Sequence, residues 1–361
     1  MPDVSVHPLP MRVEDITPAW LTSAVRTQSP RATVLGARIV DINRGTCTKI
    51  RYELELDDAA RVAGIPRRVI LKGGFEPHSR DLYLIHEMEV RGYRDVFGGI
   101  GLPSPGCYFA DFDAEQRQGI VIMEDLVVRG VDFCVATRPQ SFEQVARRLE
   151  VLARFHAKTW NSPELDKGRW DWTDRGMPSI RDSYIERYFH ADVWQGFVTS
   201  PRGAASSVHF HDMQWATQAL DALVRLSDSL PHVVLHGDAH LGNVYIDPDG
   251  SPGFYDPMSH RDHAMRDVGY HIAGALDIAD RRRWEGPLIQ HYLAELRRNG
   301  VDAPSFDETM RIYAAYLALG FIIFLVNDTK FQTEAINTAN AARYSAAMID
   351  NDTVNVLNSI P

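Results

Sequence analysis

The densest chemistry in the chain lies in LHGDAHLGNVYIDPDGSPGFYDP, residues 235–257. The turn DPDG at 247–250 supports a hairpin with strands near 243–246 and 253–256. In a simple register Asn243 and Asp256 face each other at its open end, about 5 Å apart on one face. A carboxylate and an amide oxygen converging on one point suit a hard cation such as Mg²⁺, with phosphate and water completing the shell. Asp238, on the connecting loop before Asn243, projects toward the same mouth as a separately placed carboxylate. The segment leaves a second chemistry open. Six of the fourteen histidines fall within 232–271. His236, Asp238, His240, Asp256, His260, Asp262 and His263 have the ligand types for zinc or a di-metal pair, as in a metal-dependent hydrolase.

The elements that must position these groups read as two kinds of structure. Residues 34–126 are mainly strands. KIRYELEL alternates Ile50, Tyr52, Leu54 and Leu56 with Arg51, Glu53 and Glu55, the period of a half-buried strand. VLGARIVDI (34–42) is its partner across the short NRGTC stretch, and RRVILKGG and GIVIMEDL are further strands. Between these two, residues 81–97 read as a helix, with Leu82, Ile85, Met88 and Tyr93 at spacings of three and four. From residue 127 the pattern turns helical. Ser141 and Gln144 fit a capping box opening a helix that runs to about Trp160. Residues 161–230 hold four of the seven tryptophans, and Asp267 to Leu357 is a set of amphipathic helices. The expected organisation is therefore 1–126 as a strand-rich lobe and 127–361 as a helical lobe.

His236-Gly237-Asp238-Ala239-His240-Leu241-Gly242-Asn243 resembles H-G-D-x-H-x-x-N, the catalytic-loop signature of the aminoglycoside phosphotransferase and choline kinase-like superfamily. It is similar to the H-R-D-x-x-x-x-N loop of protein kinases. The resemblance spans roughly residues 34–340. It implies an α+β, two-lobed protein-kinase-like fold, with an antiparallel-sheet, nucleotide-binding N-lobe and a mainly helical C-lobe carrying the catalytic loop and acceptor pocket. Asp256 falls where the family places its metal-binding Asp, although Pro257 and Met258 follow it where D-F-G or D-F/W is usual. Lys72 resembles the lysine that pairs with the nucleotide's α/β-phosphates. Glu89 resembles the helix glutamate that holds that lysine, with Glu87 as the competing candidate. MEDL (123–126) resembles the hinge, where Glu124 and Leu126 would read adenine through the backbone. The phosphate loop is the weakest match: NRGTCTK (43–49) has a single glycine, and Gly45 and Thr46 are its candidate contacts. ARFHAKTW (153–160) resembles a helix of the ecdysteroid-kinase-like and CHK-type subgroup. Asp267 resembles the aspartate that props the catalytic loop, with His236 and His240 as structural support.

The resemblance implies ATP and Mg²⁺ as cofactors and transfer of the γ-phosphate to a hydroxyl of a small molecule. Asp238 is then the base, and Asn243 and Asp256 are the metal ligands. A nucleotide-binding pseudokinase is the rival within the same fold; it would be expected to have lost one of these three residues. The segment expected to build the acceptor pocket is rich in aromatics: Trp170, Trp172, Tyr184, Tyr188, Phe189, Trp194, Phe197, Phe210 and Trp215. They suit an apolar or flat hydroxylated acceptor, or a quaternary ammonium held by cation–π contacts, better than a polycation. Helix core is the competing reading of the same residues.

Composition bounds these readings. Lys and Arg total 38 against 48 Asp and Glu, a net charge of −10, which argues against a nucleic-acid or anionic-membrane partner. Three scattered cysteines form no disulfide framework or structural zinc site. The N-terminus lacks the basic start and apolar core of a signal peptide. The most apolar run, Tyr313 to Val326, is shorter than a membrane span. Together these features point to a cytoplasmic protein.

Overall fold

The computed structural model describes residues 6–45, 47–174 and 176–361. Thr46, a candidate phosphate contact, lies outside the described residues. The chain forms two compact units, Met1–Asp132 with Asp247–Met258, and Phe133–Ile246 with Ser259–Pro361. The segment 247–258, which sequence order places in the helical lobe, groups with the strand-rich unit.

The first unit is built on a five-stranded antiparallel sheet in the order β1-β2-β3-β5-β4. Its strands are β1 (Val34–Arg44), β2 (Thr48–Leu56), β3 (Arg68–Gly73), β4 (Cys107–Asp113) and β5 (Gln118–Glu124). Ile50, Tyr52, Leu54 and Leu56 of β2 are buried as the alternation requires. They join Val69, Leu71, Phe109, Ile120 and Ile122 in one core. The helix Pro18–Arg26 brings Leu21, Ala24 and Val25 to that core. Thr17 caps it by accepting from Trp20 N, and Pro18 occupies its first position, where no N–H is missed. Strand β4 is absent from the sequence reading. Of its residues only Phe109 is fully buried, so this edge strand shows no clean period of two. The helix expected over 81–97 runs as an α-helix from Tyr83 to Arg91. It then continues as wider π-type turns over Gly92–Gly101, burying Tyr93, Val96 and Phe97.

The second unit is helical. The helix Phe142–Ala157 opens on the full capping box: Ser141 Oγ accepts from Gln144 N at 3.3 Å, and Gln144 Oε1 accepts from Ser141 N at 2.8 Å. It packs along Ile278–Arg298. At the centre lies Phe306–Val326, longer than the apolar run read from sequence. Its length and composition would suffice to cross a membrane, but 83% of its apolar window is buried, so here it is a core helix. It packs against Met265–Ala275 and Glu334–Asp350. The packing is tight at Gly320, where an added Cβ would stand 2.2 Å from Tyr344 Cε1. Tyr344 is pinned there by its hydroxyl, which donates to the Tyr270 carbonyl at 2.6 Å. Gly320→Ala should therefore destabilise the protein by about 1–3 kcal/mol in denaturant titration. Gly286→Ala is the control: its Cβ would meet Phe306 Cζ at an ordinary 3.7 Å, and helix propensity predicts an equal or slightly greater stability.

Candidate active site

In the first unit, strand β3 is flanked by β2 and β5, and its period of two sends Val69 and Leu71 into the apolar core. Lys72 therefore projects from the other face, toward the helix Tyr83–Arg91. Its ammonium is 5% exposed and forms a hydrogen-bonded ion pair with Glu89 Oε1. It also donates to Asp256 Oδ1 at 2.8 Å. Burial alone would push the ammonium toward neutrality, but the charges of Asp256 and Glu89 outweigh it and hold the lysine firmly protonated. Asp256 is held well below the usual carboxylate range: Lys49 and Lys72 overcome the penalty of its burial. Lys49 Nζ reaches Asp256 Oδ2 at 3.2 Å. Asp256 has φ +54°, a left-handed conformation that Asp tolerates better than most residues. Its amide donates to Tyr93 Oη at 3.2 Å. The choice between the two glutamates is geometric: Glu89 meets Lys72, whereas Glu87 pairs with Arg91 at 2.9 Å.

Glu124 ends β5 and accepts from Gly106 N at 3.2 Å and from Arg129 Nη1 at 2.9 Å. Leu126 is buried at the start of a short helix that Asp125 caps. Gly45 lies in the β1–β2 turn, and its carbonyl accepts from His78 Nε2 at 3.0 Å.

In the second unit, the loop from His236 to Asn243 is fixed from beneath by Asp267. Asp267 Oδ2 accepts from His236 N at 2.8 Å, and Oδ1 accepts from Gly237 N at 3.0 Å. Gly237 has φ +85°, a turn conformation for which glycine is suited. His156 Nε2 is 3.3 Å from Asp267 Oδ2, and the other ring nitrogen of His156 is 2.8 Å from Tyr292 Oη. Burial raises the Asp267 pKa, but the His156 hydrogen bond and the loop amides more than offset it, leaving the carboxylate below its ordinary value.

The loop histidines serve its backbone. His236 Nδ1 accepts from Asp238 N at 3.2 Å, and His240 Nδ1 accepts from Gly242 N at 2.9 Å. His263 Nδ1 accepts in the same way from Met265 N at 3.1 Å, and burial drives its pKa down to about 4. Asp262 is committed to Ser227 Oγ at 2.6 Å, Tyr316 Oη at 2.7 Å and Arg266 Nη1 at 3.3 Å. The hydrolase reading of 236–263 loses its ligand set to these roles. Among the described residues, the one group of three or more metal-ligand side chains within mutual reach is Glu150, His291 and Glu295, elsewhere in this unit.

The Asp238 carboxylate stands at the surface of this arrangement, one-third exposed. Asn243 lies in a tight turn ahead of its strand rather than within it. Its Nδ2 donates to Asp238 Oδ2 and to the Asp238 carbonyl, both at 2.9 Å. Tyr184, Tyr270 and Tyr344 all feel the Asp238 charge, which adds to burial in raising their hydroxyl pKa values. Tyr270 and Phe324 stack at 5.6 Å, Phe324 and Tyr344 at 5.8 Å, and His240 meets Tyr270 and Phe324 edge-on. Of the aromatics picked from 161–230, Tyr184 feels the Asp238 charge. Trp170, Phe189, Trp194 and Phe210 are buried, with Phe189 and Trp194 packed at 4.9 Å.

Sequence reasoning missed Lys49, Tyr93 and His156. The first was legible, since Lys49 pairs directly with Lys72 across β2 and β3; the others depend on tertiary packing.

The profile of the phosphotransferase enzyme family (APH) matches residues 102–301, more than half of the chain. The chain belongs to this family. No curated protein sequence matches it. Solved structures of low identity share the fold of this phosphotransferase-family chain. One is an amicoumacin kinase in complex with AMP-PNP, Ca²⁺ and Ami, at 14% identity and TM-score 0.52, covering 91% of this chain and 90% of that one. Another is a Plasmodium vivax ethanolamine kinase, at 12% identity and TM-score 0.51, covering 86% and 81%. The α+β fold with an antiparallel N-terminal sheet and helical C-terminal part agrees with these neighbours.

The donor types suit a hard cation. Asp256 already draws two cationic ammoniums to its oxygens, and Asn243 turns its amide nitrogen to Asp238, leaving an oxygen as its remaining donor.

The Asp267 geometry makes a prediction with a definite pH sign. Its folded pKa is depressed, so its contribution is full above the ordinary aspartate value of 3.8 and is lost as pH falls through the folded value. Asp267→Asn should cost roughly 2 kcal/mol at neutral pH. In denaturant titrations the gap from wild type should close as the pH is lowered into the acid range.

Proposed function

We propose that this phosphotransferase-family chain transfers the γ-phosphate of ATP, with Mg²⁺, to a hydroxyl of a small molecule. The observation that supports this most directly is the presentation of Asp238: an accessible carboxylate on a loop whose backbone is tied down by Asp267 and whose neighbour Asn243 is locked to it.

Phosphoryl transfer depends on positioning and charge neutralisation. The acceptor oxygen attacks the γ-phosphorus, the bond to the β-phosphate oxygen breaks, ADP leaves, and the hydroxyl proton passes to Asp238. Asn243 and Asp256 are the residues assigned to hold Mg²⁺, which would supply charge neutralisation for the phosphates. Lys72, oriented by Glu89, neutralises phosphate charge. Glu124 and Leu126 read adenine through the backbone, and Gly45 and Thr46 approach the phosphates. His236, His240 and Asp267 hold the loop. In this reading residues 1–126 form the nucleotide-binding lobe, and 127–361 carry the catalytic loop and the acceptor pocket.

The acceptor is read as apolar or aromatic. The surroundings of Asp238 supply tyrosine and phenylalanine rings, and a polycation would favour crowded carboxylates. ARFHAKTW supports placement in the ecdysteroid-kinase-like or CHK-type subgroup. The acidic balance supports a cytoplasmic enzyme without nucleic-acid or membrane partners.

A panel of small alcohols, phenols, sterols and amino sugars incubated with MgATP, read by mass spectrometry, tests the reading. Asp238→Asn should lower kcat about 10²- to 10⁴-fold while MgATP affinity stays near wild type. Asp256→Asn should weaken MgATP binding as well. MgATP at about 100 times its Kd should stabilise the wild type by about 2.7 kcal/mol. No phosphorylated product together with no stabilisation by MgATP would refute the assignment.

A further inference from the structure

The β2–β3 register sets Lys49 directly opposite Lys72, so the two side chains leave the same face of the sheet. Their ammoniums end on the two oxygens of one carboxylate, Lys49 at 3.2 Å from Asp256 Oδ2 and Lys72 at 2.8 Å from Oδ1. Otherwise the two lysines differ. Lys72 is buried and has Glu89 as a second partner, whereas Lys49 is 45% exposed and, among the described residues, pairs with Asp256. Arg51 and Glu53, the next two charged residues on that face of β2, are engaged elsewhere. Arg51 Nε donates to Asp125 at 2.8 Å, and Glu53 pairs with Arg38 and Arg67.

The adjoining β1–β2 turn is poorly equipped to cradle phosphate through its backbone. Its single glycine is not there to clear space: a Cβ on Gly45 would meet nothing nearer than the Cys47 carbonyl at 3.8 Å. The Gly45 carbonyl points its oxygen at His78. A glycine-rich loop works by close approach of several backbone amides to the anion, and this turn carries a single glycine.

We propose that Lys49 is a second phosphate-binding lysine, which leaves Asp256 to hold the β- and γ-phosphates of the nucleotide beside Lys72 and supplements the glycine-poor β1–β2 turn. This rests on the phosphotransferase reading above. The exchange is energetically open to Lys49 and closed to Lys72. A half-exposed ion pair contributes little net stability, so trading a carboxylate for a more highly charged phosphate is favourable. Extracting Lys72 would leave the buried Glu89 carboxylate without its counter-charge. Lys49 thus binds the triphosphate directly, and its effect should grow with the number of phosphates on the ligand.

Calorimetric titration of the full-length protein in Mg²⁺ with ATP and with adenosine tests this, using wild type, Lys49→Met and Lys49→Arg. The expected result is a loss of about tenfold in ATP affinity for Lys49→Met, unchanged adenosine affinity, and recovery of most of the ATP affinity in Lys49→Arg. Lys49→Met that binds ATP like wild type overturns the proposal and leaves the phosphotransferase reading standing. Equal losses for ATP and adenosine overturn it in favour of a purely structural role. A wild-type protein that binds neither ligand overturns both readings together.

Discussion

The second unit is organised around one buried carboxylate that must remain charged. Asp267 is almost wholly sealed from water, and a bare carboxylate there would cost several kcal/mol. The cost is met by two loop amides and by His156. Each partner comes from a different part of the chain. Asp267 lies on the helix Met265–Ala275 and His156 on Phe142–Ala157. Tyr292, on Ile278–Arg298, orients His156. Three helices must dock correctly before the carboxylate is satisfied, and once they have docked, His236 and Gly237 have little freedom left. The precision of the Asp238 loop is therefore a consequence of helix packing.

The same physics recurs in the first unit with the sign reversed. Lys72 is a buried cation on a central strand, stabilised by Glu89 from the neighbouring helix and by Asp256. Asp256 in turn is shared with Lys49. Lys72 is nearly sealed, whereas Lys49 is open to solvent, so one lysine is built in and the other is exchangeable. In the second unit the histidines show how an abundance of potential metal ligands can serve another end. His236, His240 and His263 each accept from the amide two residues ahead through Nδ1. An imidazole used in this way acts like the side chain of a turn-forming Asp, which accounts for three of the six histidines in 232–271.

Legibility differed from residue to residue for a physical reason. The β2 alternation was readable because one face of a sheet is buried and the other is not. Strand β4 was not, because it lies at the sheet edge and all but one of its residues are partly exposed. Glu89 could be separated from Glu87 only by which of them faces Lys72; both are buried on one short helix. The aromatics of 161–230 carried a composition signal for a pocket, yet Trp170, Phe189, Trp194 and Phe210 are buried, and Phe189 packs on Trp194. Aromatic content records apolar area, and that area can be spent on a ligand or on a neighbouring helix.

By itself the sequence determined the local chemistry and the order of elements. The motif from His236 to Asn243, the strand ending in Lys72, the capping box at Ser141 and the alternation through β2 are all set by nearest neighbours along the chain. Only the tertiary structure decided the partnerships. Lys49 with Asp256, His156 with Asp267, Asp256 with Tyr93 and the Tyr344 ring against Gly320 join residues far apart in sequence. Such contacts exist because buried charges and close-packed surfaces must find complements across the fold, and no local pattern specifies which residues those will be.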